Sequence, residues 1–317
     1  MQTLDFLRNY TKLLFSKLEI PDNPVELYSP VSYTLDAGGK RLRPLLTLFS
    51  CELFGGSYTD AANSAVALEL LHNFTLIHDD IMDKAPLRRG RETVYKKWNT
   101  DIAILSGDVL YALACKYLRK NNDAIFVKVF EPFNNATILV CEGQQMDMNF
   151  ENSDSVTIVD YIQMIKLKTA ALLAACFKIG ALHTQASVSD IDNIYKFGEL
   201  LGIAFQLTDD LLDVYSDNEK FGKVNSGDIT SNKKTFLYLK AFQLADNNQR
   251  TKLNDLFSPK MFNNNEKIFA VKKIYDVLNI KEHTVKEINS YFNLAMDCLE
   301  PINIDDNIKK DLIGFSS

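Results

Sequence analysis

An all-α fold is what this sequence predicts, and three observations predict it. Glycine (13) and proline (8) are scarce among 317 residues, which disfavours a loop-rich β architecture. Apolar residues recur at helical spacing through long segments, while strand-type alternation is weak throughout. The chain is 46% apolar, enough to bury a large core and too apolar for a disordered chain.

Helices are expected at about 43–54, 61–82, 101–119, 123–149, 157–181, 189–214, 231–246, 264–279 and 281–299, ten or more in all once the remainder is counted. The second is the best marked. Ala65, Leu68, Leu71, Thr75, Ile77 and Ile81 follow a helical period, and Thr59 or Asp60 is placed to cap its start after Gly55–Gly56. Pro86 ends or follows it, so Asp79 and Asp83 lie near its C-terminal end. The segment "VTIVDYIQMI" is rich in β-branched residues but runs on into a helical pattern, and the polar "NNNEK" near 263–267 reads as a loop. No internal repeat, low-complexity tract or linker interrupts the chain, so one domain over 1–317 is expected.

The net charge of −6 argues against nucleic acid as the main partner, while leaving room for a local basic site for a small anion. The five cysteines are odd in number, widely spaced and without a CxxC pair. They read as buried, reduced thiols of a cytoplasmic protein, not as disulfides, a zinc site or a catalytic thiol. The start "MQTLDFLRNYTKLLF" lacks the unbroken apolar core of a signal peptide. The stretch "TAALLAACFKIGAL" is interrupted by Lys178 and too short to span a bilayer, so no membrane span is expected.

The chemistry-bearing residues form two acidic clusters. Asp79, Asp80 and Asp83 make a DDxxD pattern, and so do Asp209, Asp210 and Asp213. On a helix, residues four apart share a face, so Asp79 pairs with Asp83 and Asp209 with Asp213, while Asp80 and Asp210 point about 100° away. Carboxylates one turn apart repel, and near a helix C-terminus they also oppose the dipole. A hard cation reverses that balance, and magnesium commonly bridges one or two carboxylates to substrate phosphates. One such cluster in an acidic chain is more often a solvated face. Two, each set in apolar sequence ("NFTLIHDDIMD" and "GIAFQLTDDLLD"), are not explained that way. Bases accompany them: Lys40, Arg41 and Arg43 in "GGKRLRP", Arg88 and Arg89, Lys168 beside Thr169, then Lys223, Lys233 and Lys234. Arginine forks and lysine point charges both suit phosphate. Lys168 lies in so apolar a helix that a buried anionic partner is expected for it.

The motifs "GGKRLRP", "LIHDDIMDKAPLRRG", "LKTA" and "FQLTDDLLDVYSDNEKFGK…GDI…NKKT", in this order over roughly residues 30–240, resemble those of the trans-isoprenyl diphosphate synthases, the polyprenyl synthetase family. The resemblance implies a helical bundle around a central cavity, a homodimer, and two facing DDxxD motifs that hold three magnesium ions on an allylic diphosphate. Residue by residue, it implies Asp79, Asp83 and Asp209 as metal ligands, and Arg88, Lys168, Lys223 and Lys233 as contacts to the allylic diphosphate. It implies Gly39, Lys40, Arg43, His72 and Arg89 for isopentenyl diphosphate, Thr169 and Gln206 beside the developing cation, and Asp147 as a further acid near the metals. His72 also reads as an ordinary core histidine. Ser226 departs from the family, where many members have glycine.

The implied reaction is chain elongation. The allylic C–O bond breaks, the double bond of isopentenyl diphosphate attacks the cation, and the departing diphosphate takes the proton. Phe74 lies five residues before Asp79, with small Thr75 beside it and Leu71 one turn deeper, and by itself reads equally as an ordinary core phenylalanine; the resemblance implies that it floors the cavity for the twenty-carbon geranylgeranyl product, with farnesyl or longer products as alternatives. A class I terpene cyclase needs no second diphosphate site, and a non-catalytic partner subunit is expected to have lost ligands that this chain retains.

Overall fold

The computed structural model describes residues 3–151, 153, 155–216, 226–258, 262–302 and 304. Among them the backbone is helical nearly throughout, in agreement with the all-α expectation. The chain divides into two compact units: Met1–Val140 with Leu172–Gly198 and Leu299–Ser317, and Cys141–Ala171 with Glu199–Cys298.

In chain order the elements are α1 (Leu4–Ser16), α2 (Val25–Asp36), α3 (Leu42–Leu53), α4 (Ala62–Met82), β1 (Leu87–Arg88), β2 (Arg91–Glu92), α5 (Val94–Lys97), α6 (Thr100–Leu118), α7 (Asp123–Glu151) and α8 (Ile158–Ile165). A π-helical turn (Lys166–Ala170) follows, then α9 (Ala171–Leu182), α10 (Val188–Tyr215), α11 (Gly227–Thr230), α12 (Phe236–Leu244), α13 (Asn247–Leu256), α14 (Asn264–Val277) and α15 (Ile280–Leu299).

The first unit is organised around α4. Its run from Ala65 to Leu71 is buried on every side, apolar except for Glu69, which is buried with an arginine partner. It packs between α3 and α6, and α6 also receives α2 and α5. Beyond α4 the chain caps at Asp83 and enters the β1–β2 hairpin, paired Leu87 with Glu92 and Arg88 with Arg91. Arg89 (φ 54°) and Gly90 (φ 75°) form its two-residue loop, with the left-handed pair of torsions that matches hairpin twist. The second unit closes a core of Tyr161, Leu207, Phe236, Leu237 and Tyr275 among others. In it α12 packs on α8, α13 and α14, and α11 packs on α14.

Several boundaries differ from expectation. The N-cap of α4 is Ala61, without a side-chain cap. Asp60 instead accepts from the Ser57 amide at 3.3 Å within the preceding turn. The helix expected from 231 starts at Phe236, because Asn232 takes a positive φ of 61° that no helix continues. "NNNEK" is a helix start and not a loop: Asn263 caps α14, accepting from the amides of Asn265 and Glu266. The 157–181 segment is α8, the π turn and α9 in succession, opened by a capping box of Thr157 and Asp160. None of the five cysteines is in a disulfide; Cys51 and Cys176 are buried, whereas Cys141 is exposed on α7, contrary to the expectation of burial. Helix α7 is long and apolar enough, by length and composition, to cross a membrane. Its Val127, Phe130 and Ile138 are exposed.

Candidate active site

In the first unit α4 and the hairpin bring acids and bases together. Arg88 donates from Nε to Asp80 Oδ1 at 2.7 Å and from Nη2 to Asp79 Oδ2 at 3.2 Å. Asp80, the middle acid of the motif, is buried; burial raises its pKa to about 6 against the pull of Arg88. It serves as a post that aims Arg88, while Asp79 and the C-cap residue Asp83 are half-buried.

Above this pair sits a cluster of arginines. Arg41, Arg43, Arg88 and Arg89 all act on His72, whose pKa lies well below the usual histidine value, first through burial and then through these four cations. His72 is therefore neutral at physiological pH. Burial also lowers the pKa of Arg43 and Arg89. Arg43 Nε is shielded from solvent and has no hydrogen-bond partner. Arg41 is spent on structure, pairing with buried Glu69 at 2.9 Å and donating to the Leu35 carbonyl. Arg89 donates to the Gly38 carbonyl. A Cβ on Gly39, which has φ 126°, would meet the Arg89 guanidinium at 2.7 Å, so the missing side chain of Gly39 is what lets Arg89 in. Lys40 is exposed beside it. Glu69 takes Arg41 while Asp79 and Asp80 take Arg88, which leaves the charges of Arg43, Arg89 and Lys40 over as a field suited to an anion.

In the second unit the π turn, α7 and α10 line a cleft of about 880 Å³ including its open mouth. Six carboxylates face it (Asp147, Glu151, Asp209, Asp210, Asp213 and Asp228) against three lysines (Lys168, Lys233 and Lys234). Lys168 Nζ donates to Asp147 Oδ2 at 2.5 Å, an anionic partner as expected, although the pair is half-buried and not buried. Thr169 Oγ1 donates to Gln206 Oε1 at 2.9 Å, and Gln206 Nε2 donates to Asp210 Oδ1 at 3.0 Å. Tyr161 also donates to Asp210. The middle acid is again buried. Its pKa rises to about 7, from burial first and then from Asp228. Asp228 rises to about 6, from burial and then Asp213.

Asp213 accepts from the amides of Gly227 and Asp228 at 3.2 and 3.1 Å, so it holds the start of α11, while Asp209 is exposed. Among the bases, Lys234 ties the end of α7, donating to the carbonyls of Phe150 and Ser153, and Lys166 pairs with Glu199 at 3.0 Å. Lys223 lies outside the described residues. The cleft is rich in carboxylate oxygens and has no His or Cys in its lining, a set that suits a hard cation that keeps several waters. Among the described residues no group of three or more His, Cys, Asp or Glu side chains converges as a closed metal site.

The π turn is gripped from both sides. A Cβ on Gly143 would lie 2.3 Å from the Lys168 amide nitrogen, and one on Gly202 would lie 2.6 Å from Ala170 Cα. Both glycines escape motif reading, although glycine inside a helical pattern is a signal of close backbone approach. Tyr161 and Asp228 also went unassigned by sequence. At the other end of the problem, half-buried Phe74 packs edge-on to His78 (4.8 Å between centroids) and against Tyr111 (5.5 Å), and Tyr111 stacks near Phe133 (6.4 Å). Thr75 donates to the His72 carbonyl at 2.8 Å, and Leu71 is fully buried.

Residues 24–278 match the family model described as polyprenyl synthetase. A short chain isoprenyl diphosphate synthase of Methanothermobacter thermautotrophicus is 36% identical over 311 residues, 96% of this chain and 94% of that protein. A geranylgeranyl diphosphate synthase of Methanosarcina mazei is 42% identical over 222 residues, 69% of this chain and 68% of that protein. The crystal structure of a geranylgeranyl pyrophosphate synthase superposes with a TM-score of 0.94 at 42% identity, covering 100% of this chain and 98% of that one.

Proposed function

The chain belongs to the polyprenyl synthetase family and is a prenyltransferase that elongates prenyl chains; from that premise we propose that it condenses isopentenyl diphosphate with an allylic diphosphate, with magnesium, to give all-trans geranylgeranyl diphosphate. The observation that carries this reading is that one unit holds an acid-rich cleft and the other an arginine cluster around neutral His72. Each has an excess of one charge, and a metal-bound diphosphate and a second diphosphate complement the two.

Asp79, Asp83 and Asp209 are the proposed metal ligands, with Asp147 nearby in role, and three magnesium ions are expected with the allylic diphosphate. When bound, magnesium supplies neutralisation of the leaving group's charge. Lys168, Lys233, Lys223 and Arg88 are proposed to hold the allylic diphosphate. Lys40, Arg43, Arg89 and His72, with the Gly39 backbone, are proposed to hold isopentenyl diphosphate. Neutral His72 offers a hydrogen bond without adding a further cation. Thr169 and Gln206 face the cation, and Phe150, Met164 and Ile165 give the cleft apolar wall that keeps water from it. A homodimer is proposed, with the exposed Val127, Phe130 and Ile138 of α7 supplying apolar surface for a second copy, and a cytoplasmic setting goes with it.

The division of substrates is open to test by steady-state kinetics. Arg89→Ala is expected to raise KM for isopentenyl diphosphate about ten- to hundredfold, the loss of one charge-assisted hydrogen bond. Lys168→Ala is expected to lower kcat and weaken the allylic substrate instead. Equal damage to both substrates from both variants contradicts the division.

Product length is read by mass spectrometry of the purified chain's products from each starter. Geranylgeranyl diphosphate is expected as the main product, with farnesyl diphosphate second. Phe74→Ala is expected to move products past twenty carbons and Thr75→Phe towards fifteen. An active Phe74→Ala enzyme with unchanged products places the floor elsewhere.

A further inference from the structure

The hydrogen bonds in the second unit form a directed chain. Tyr161 on α8 donates to Asp210; Gln206, one turn before Asp210 on α10, donates its amide N–H to the other carboxylate oxygen at 3.0 Å. Thr169 on the π turn donates its hydroxyl to the Gln206 carbonyl oxygen at 2.9 Å. An amide side chain has two faces of opposite polarity, and its neighbours decide which is presented where. Here the buried carboxylate takes the N–H side. Asp210 accepts from Tyr161 on one oxygen and from Gln206 on Oδ1. The carbonyl oxygen of Gln206 must then face Thr169, and the only hydrogen of the Thr169 hydroxyl is consumed by it. What remains is lone pairs on the Thr169 hydroxyl oxygen, and on Gln206 a second carbonyl lone pair and the second amide N–H. Tyr161 and Asp210 are 3% and 4% exposed, so water does not compete for the anchoring end.

We propose that Tyr161, through Asp210, is a positioning residue that sets the direction of this chain, so that the Gln206 carbonyl oxygen and the Thr169 hydroxyl oxygen keep lone pairs available to the allylic cation. The proposal rests on the reading of Thr169 and Gln206 as the residues facing that cation. Dipoles fixed in advance towards a developing charge need no reorganisation as the charge forms. Without the phenol, Asp210 loses the partner on one oxygen and becomes free to rotate. The amide can then turn its N–H side towards Thr169, and the oxygens lose their fixed aim.

A double-mutant cycle on the full chain tests this. Tyr161→Phe, which removes a hydroxyl and little volume, is expected to lower kcat about tenfold with both KM values within about twofold, the scale of one hydrogen bond to a charged group. In the Gln206→Leu background the same substitution is expected to change kcat by less than about twofold, because its effect travels through the amide. An equal loss in both backgrounds, no loss, or a loss carried by KM overturns the proposal and leaves Tyr161 a structural residue. If Gln206→Leu and Thr169→Val themselves retain wild-type kcat, the cation-facing reading fails and the proposal falls with it. Should Tyr161→Phe not fold, Asp210→Ala cycled with Gln206→Leu reads the same link: a smaller loss in the Gln206→Leu background supports it, and additive losses overturn it.

Discussion

Asp79→Asn and Asp209→Asn are each expected to cut turnover by at least about a hundredfold at saturating magnesium, with the fold intact. Each removes a charged oxygen ligand and leaves an amide of nearly the same shape. Stability has little to lose. Asp209 is exposed, and Arg88 keeps its 2.7 Å bond to buried Asp80 when its longer bond to Asp79 is weakened. Each change also relieves repulsion within an acidic cluster. The melting temperature without metal should therefore stay close to wild type. Near-normal turnover in either variant defeats the metal assignment; unfolding shows that the acid has a structural task the geometry does not reveal.

Gly143→Ala and Gly202→Ala are expected to damage both stability and catalysis without touching a single polar group. The added methyl meets backbone in each case, at 2.3 Å from the Lys168 nitrogen and 2.6 Å from Ala170 Cα, so no side chain can swing away. Overpacking of this kind costs about 1–3 kcal/mol. The π turn between them carries Lys168 and Thr169, and displacing it by about 1 Å is expected to reduce kcat about a hundredfold. Thermal melting and steady-state kinetics check both parts. Gln145→Ala, at an exposed position of the same helix, serves as control and should change stability by less than about 0.5 kcal/mol. Wild-type kcat in a destabilised Gly143→Ala enzyme separates the packing role from the positioning role and contradicts the latter.

The fold was legible wherever an apolar helical period was strong. Helix α4 illustrates this: its period gave both its extent and the place of Asp79 near its end. Helix α13, "NNQRTKLNDL", shows the converse, since only Leu253 and Leu256 are buried and the period is too thin to read. The hairpin was hidden for another reason. Its strands are two residues long, and its turn depends on torsions at Arg89 that residue type does not announce.

At the site, spacing pointed to paired acids but not to how they are used. That the middle acids Asp80 and Asp210 are posts for Arg88 and Gln206 follows from burial and partners, both long-range properties. The same holds for neighbouring bases. Arg41 and Arg43 are alike in sequence, yet Glu69, 28 residues further on, takes the first and leaves the second with a shielded nitrogen that has no partner.

The central claim is that the acids and bases of this chain serve the metal-dependent departure of diphosphate coupled to carbon–carbon bond formation. The most direct measurement follows diphosphate release and isopentenyl incorporation together, using the purified chain after chelator treatment and with magnesium restored. The account predicts no release before magnesium is added, and afterwards one diphosphate for each isopentenyl unit joined. Release without magnesium, or release with an allylic diphosphate alone and no elongated product, would contradict it.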